Sequence, residues 1–111
     1  MSPLPDYYVS QGDKSLVLRR VLQDARGSAV DLAGAVISFW HEPIEGGTVR
    51  GGSAVNESSG TAGQVAYTFG TADTATAGLR VGEFEVTFQG GAVQTFPNDQ
   101  KLLVLVTEQI Q

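Results

Sequence analysis

The stretch "GEFEVTFQGGAVQTFPNDQKLLVLV" (Gly82–Val106) carries the clearest fold signal in the chain. Phe84, Val86 and Phe88 alternate with Glu83, Glu85 and Thr87, and a period of two puts the first set on a core face and the second in water. Gly90 and Gly91 then turn the chain back as a hairpin, because glycine accepts the primed turn conformations that match strand twist. Ala92–Phe96 is the return strand. Pro97 has no N–H to give to a ladder and holds Phe96 extended, so pairing should stop there, with Asn98 and Asp99 turning the chain. The next run, "KLLVLV", is apolar on both faces, as expected of a strand that is central or covered by a neighbouring subunit.

Similar alternation recurs on the N-terminal side. Further strands are expected over Tyr7–Ser10, Ser15–Gln23, Ala35–Glu42, Thr48–Asn56 and Gly63–Phe69, besides Val81–Gln89 and Lys101–Glu108. In "QDARGSAVDL", Asp24 can cap its own turn and Gly27 can take a positive φ, which predicts another hairpin. Only "TADTATAG" (Thr71–Gly78) suggests a single helical turn. The chain is therefore read as all-β, a two-layer antiparallel sandwich of about seven to eight strands, with a small barrel as the alternative. Ile37, Phe39, Val65, Tyr67, Phe84, Val86, Phe88, Leu102 and Val104 are the expected core. Residues 6–111 form one domain, since 111 residues is the usual size for a single core. Residues 1–5, "MSPLP", read as a flexible N-terminal arm.

Composition excludes several functions. A net charge of -5 with seven Lys and Arg gives no basic patch able to release many counterions, so nucleic acid is not an expected partner. No apolar run approaches membrane length, and the N-terminus lacks the charged and apolar regions of a signal peptide. With no cysteine, neither disulfides nor thiolate metal sites can form.

The residues that could carry chemistry read more simply as structure. His41 is the one histidine, and a zinc site needs three or four protein ligands, so packing or a surface hydrogen bond is the expected role. Asp6, Asp13, Asp24, Asp31, Asp73 and Asp99 are scattered through turn contexts and match no calcium-loop pattern. Ser53, Ser58 and Ser59 lie in glycine-rich sequence without a nucleophile elbow. Glu83 and Glu85 share a solvated strand face, which accounts for them without a glycosidase pair. The expectation is no enzyme, no cofactor and no metal. Glu45–Val55, "EGGTVRGGSAV", has neither phosphate-binding glycine pattern and is expected to be a flexible arm or loop that can dock on a partner.

Several motifs together carry a resemblance: "D-x-x-G-x-x-V-D-L-x-G-A" at Asp24–Ala35, "G-x-V-x-Y" at Gly63–Tyr67, "D-T-x-x-A-G" at Asp73–Gly78 and "T-F-P-N-D" at Thr95–Asp99. Over Gly12–Val106 the chain resembles the N-terminal domain of the upper baseplate protein family of tailed bacteriophages, an immunoglobulin-like β-sandwich of phage structural proteins. The resemblance implies scaffold roles: Asp31 and Leu32 fixing the turn into "GAVISF", Tyr67 and Phe84 facing the core, and Thr95–Asp99 forming a corner. It implies no catalytic residue. Because the family's linker and receptor-binding-protein attachment region have no counterpart here, a free-standing docking module is expected.

The implied function is a multi-copy virion structural protein, made in the host cytoplasm, that docks on tail, baseplate or neck proteins. Capsid decoration, or a receptor- or carbohydrate-binding module of a fibre, is the alternative. Candidate partner contacts are Tyr7, Tyr8, Trp40, Gly46, Gly47, Arg50, Leu103 and Leu105.

Overall fold

The computed structural model describes residues 5–57, 62–96 and 102–108. Among the described residues, eight strands occupy the expected stretches: β1 (Tyr7–Ser10), β2 (Val17–Val21), β3 (Val36–Pro43), β4 (Arg50–Asn56), β5 (Gln64–Thr68), β6 (Gly78–Thr87), β7 (Val93–Phe96) and β8 (Leu102–Thr107). One 3-10 turn, Thr71–Thr74, precedes β6, where the single helical turn is expected.

β6 organises the larger layer. Along one edge it pairs with β3 over Val36↔Thr87 to Pro43↔Arg80; along the other it pairs with β8 at Gly78–Gly82 and with β7 at Phe84–Thr87. Phe96 therefore faces Phe84 and Leu102 faces Gly82, so β7 and β8 share one edge of β6 and meet it on either side of Glu83. The expected turn at Pro97, Asn98 and Asp99 lies outside the described residues, as does the arm over 1–5 apart from Pro5.

The strand order is β1-β8-β6-β3-β4-β5-β2. β4 joins the two layers: Arg50–Ala54 pairs with β3, and Val55 and Asn56 pair with β5. At the ends of the path, the Tyr7 hydroxyl donates to the Arg19 carbonyl at 2.7 Å, so the mixed sheet nearly closes, like a barrel. The expectation of a purely antiparallel arrangement is corrected by β1, which runs parallel to β8. These two strands come from opposite ends of the sequence, so no hairpin dictates their direction.

Leu18, Leu22, Leu32, Ile37, Phe39, Val65, Phe69, Phe84, Val86, Phe96, Leu102, Val104 and Val106 fill the core. Phe39 and Phe84 lie 4.8 Å apart in a tilted pair, a geometry worth about 0.5–1.5 kcal/mol beyond the area buried. Of the expected core, only Phe88 is partly buried, because β6 has ended and the chain is turning at Phe88–Ala92. Both hairpins form: Asp24 Oδ1 accepts from the Arg26 and Ser28 amides, Gly27 has φ +84°, and the Gly91 amide donates to the Phe88 carbonyl.

The Glu45–Val55 segment differs from expectation. Only residues 44–49 form a connection; from Arg50 onward the chain is paired in β4. Gly51 and Gly52 lie opposite Trp40 and Phe39, so these glycines serve a ladder rather than a free arm.

Candidate functional site

Alternation along β3 places His41 on the face of Ile37 and Phe39, and along β6 it places Arg80 on the face of Phe84 and Val86. The register sets His41 beside Gly82 and Arg80 beside Pro43, so two polar side chains enter the core from neighbouring strands. Both are buried, with Arg80 only 5% exposed.

A chain of hydrogen bonds satisfies them. Arg80 Nε donates to His41 Nδ1 at 2.6 Å, and Arg80 Nη2 donates to the Thr48 carbonyl at 3.0 Å. A guanidinium has no acceptor, so Nδ1 must be unprotonated and the neutral ring carries its proton on Nε2. Nε2 lies 2.8 Å from Asp73 Oδ1 and donates to it. Asp73 Oδ2 accepts from the Tyr67 hydroxyl and the Gly70 amide, both at 2.7 Å. The 3-10 turn is held further by Arg50 Nη1 donating to the Ala72 carbonyl at 3.0 Å and by Thr74 Oγ1 donating to the Asp13 carbonyl at 2.6 Å. Among the described residues no buried side-chain nitrogen or oxygen lacks a partner.

The electrostatics arise from burial and from this wiring. Burial pushes the His41 pKa down, and the Arg80 charge adds to that, against the opposing pull of Asp73. For Asp73, burial would raise the pKa, but the hydrogen bonds from Tyr67, Gly70 and His41 outweigh it and hold the carboxylate ionised. Burial and the adjacent carboxylate raise the Tyr67 pKa. Arg80 is lowered chiefly by burial and then by the Arg50 charge. An Asp–His pair supplies two of the three members of a hydrolytic triad, yet the ring nitrogen that would face a nucleophile's hydroxyl is taken by Arg80. The network holds segments together; it does not present a reactive atom. Among the described residues no group of three or more His, Asp or Glu could hold a metal ion.

The opposite face of the larger layer gathers several candidate contacts. Tyr8 pairs with Leu105, Leu105 with Leu79, Leu103 with Val81, and Trp40 with Glu83. Since Val104, Val106 and Phe84 point inward, these residues point outward. Tyr8 is 60% and Trp40 37% exposed, while Leu103 and Leu105 are half-buried. Beside Trp40 is a hollow of about 90 Å³ lined by Trp40, His41, Glu42, Val49, Val81 and Glu83. This is well below the ~300 Å³ lower end of small-molecule pockets.

Four of the eight candidate contacts thus share one surface: Tyr8, Trp40, Leu103 and Leu105. Tyr7 instead packs against the core, with its hydroxyl on β2. Arg50 is half-buried and bound to the 3-10 turn. Gly46 and Gly47 are exposed in the connection after β3, where the Gly46 amide closes a turn on the Pro43 carbonyl.

Sequence reasoning missed Asp73 and Arg80. Asp73 reads as ordinary turn chemistry, and Arg80 precedes the strand as expected from Val81. Its signal was parity: Arg80 is two and four residues from Gly82 and Phe84 on a strand that begins at Gly78. His41 carried the same signal on β3.

Neither a family model nor a curated protein matches the sequence. Among solved structures, CopC from Methylosinus trichosporium OB3b is similar over 98% of this chain and 90% of that chain, with a TM-score of 0.55 and 16% identity. At that identity the likeness shows the fold alone, an all-β CopC-like arrangement.

Proposed function

We propose that the chain is a non-enzymatic docking module of a tailed-phage particle, built as an immunoglobulin-like sandwich and present in many symmetric copies on the tail, baseplate or neck. The observation that carries this reading is the outward gathering of Tyr8, Leu79, Leu103, Leu105, Val81 and Trp40 on one sheet face. Aromatic and aliphatic side chains so arranged are the composition of a protein contact. The phage assignment rests on the motifs from Asp24 to Asp99, and the non-enzymatic reading on that resemblance, which implies no catalytic residue. Its partners are other virion proteins, with neither nucleic acid nor membrane; the protein is made in the host cytoplasm and ends in the virion.

Tyr8→Glu and Leu105→Glu test the docking face. Each places a charge on the outer surface, and each should lower incorporation into particles while the isolated domain keeps its fold by circular dichroism. Incorporation of both variants at the level of the unaltered protein would refute this face as the contact.

A further inference from the structure

We infer that the Arg80–His41–Asp73 network is an acid-released latch, holding the connection 44–49 and the turn Thr71–Thr74 onto the sheet while the His41 ring is neutral. The geometry makes the ring the hinge of the device. Arg80 reaches across from β6 to His41 Nδ1 and to the Thr48 carbonyl in the connection, and His41 Nε2 reaches Asp73 in the turn. Two segments far apart in sequence are therefore clamped through one imidazole.

A proton on Nδ1 would meet the Arg80 N–H head on. The ring cannot rotate away from both partners, because Nε2 is fixed on Asp73 and the ring lies 5.7 Å from Phe39 and 6.2 Å from Phe69. The charged groups around it oppose a second cation: Arg80 from β6 and Arg50 from β4 disfavour it, while Asp73 from the turn favours it. Tyr67 from β5 donates a hydrogen bond to Asp73, and Glu42 on β3 acts on Arg80. Protonation is thus coupled to breaking the Arg80 contact, which frees Thr48; because the ring cannot turn in place, the opening that admits the proton also draws it off Asp73, against the attraction of that carboxylate. His41 is the one histidine, so no other imidazole can produce the effect. The latch stands on this geometry and is independent of the particle assignment.

Amide hydrogen exchange on the intact protein at pH 7.5 and pH 5, corrected for intrinsic exchange, reads the latch. The Gly70, Asp73 and Ile44 amides donate within the clamped segments. They should be less protected than amides of the β3–β6 ladder, and their opening should rise toward about 30-fold at pH 5, the factor for one proton taken up at an ordinary histidine value of 6.5. The Gly27 and Gly91 amides in the two hairpins should not respond. In His41→Gln the rise should vanish. Nitrogen-15 signals of the His41 ring in the unaltered protein give an arm that does not need the variant to fold: the neutral ring at pH 7.5 should be the Nε2–H tautomer. An unchanged opening of the clamped amides, a rise that survives in His41→Gln, or a neutral ring carrying its proton on Nδ1 at pH 7.5 would each overturn the latch.

Discussion

Asp73→Asn keeps the shape of the side chain and removes its charge, and it should destabilise the fold by roughly 3–5 kcal/mol, the scale for breaking a buried charged pair from one side. Asp73 accepts three hydrogen bonds: from His41 Nε2, the Tyr67 hydroxyl and the Gly70 amide. An asparagine has one oxygen and one NH2 group. If its oxygen serves Tyr67 and Gly70, the NH2 faces His41 Nε2–H. The ring cannot change tautomer to accept it, because Nδ1 is already needed by Arg80. At least one donor-to-donor contact remains, and an unpartnered buried donor costs about 1–3 kcal/mol. The buried Arg80 also loses the anion at the far side of the imidazole. Tyr67→Phe removes only one hydrogen bond to a carboxylate and should cost about 1.5–3 kcal/mol. Urea unfolding at pH 7.5 measures both, with the double variant completing a cycle. If Asp73→Asn fell within about 1 kcal/mol of the unaltered protein, the wiring and the tautomer deduced from it would be wrong.

Phe84→Ala should cost roughly 3–5 kcal/mol in the same assay, since Phe84 is fully buried against Phe39; a midpoint shift of less than about 1 kcal/mol would contradict the assigned face. Gly51→Ala should unfold or severely weaken the domain, because a Cβ there would run into the Phe39 carbonyl and the backbone has φ +139°; a thermal midpoint unchanged by it would show that the β3–β4 ladder is misplaced. Global stability should fall on acidification in two steps. His41 is lowered from 6.5 in the fold, so the unfolded chain takes up the proton first and stability is lost as pH drops below about 6.5, at up to about 1.4 kcal/mol per unit. Asp73, also lowered, adds a second loss below its ordinary value of 3.8; a stability that rose between pH 7 and 5 would reverse the sign worked out for His41.

Strand positions were legible because alternation in runs such as "EFEVTF" leaves one face for a core, and because Asp24, Gly27, Gly90 and Gly91 carry turn chemistry of their own. The parallel β1–β8 pairing was not legible, since direction between sequence-distant strands is set by the whole packing rather than by local residues. Arg50 misled for a related reason. Glycines flanking a charge read as a loop, whereas here Gly51 and Gly52 are paired in β4, and Gly51 lets that strand lie close against the Phe39 and Trp40 backbone. The polar network was half legible. Parity points His41 and Arg80 inward, but only the fold brings Asp73, from a turn 32 residues beyond His41, to the ring. The outer face was read from Leu103 and Leu105, which cannot share a face with Leu102 and Val104.

Docking on a phage particle is best tested by quantitative mass spectrometry of purified particles from the source of this chain. This protein should be present at a fixed, symmetric ratio to the major structural proteins, a dozen or fewer copies for a neck or baseplate position and hundreds for capsid decoration, on the general ground that closed symmetry fixes how often a surface repeats. Its absence from particles that are otherwise complete would contradict the docking role.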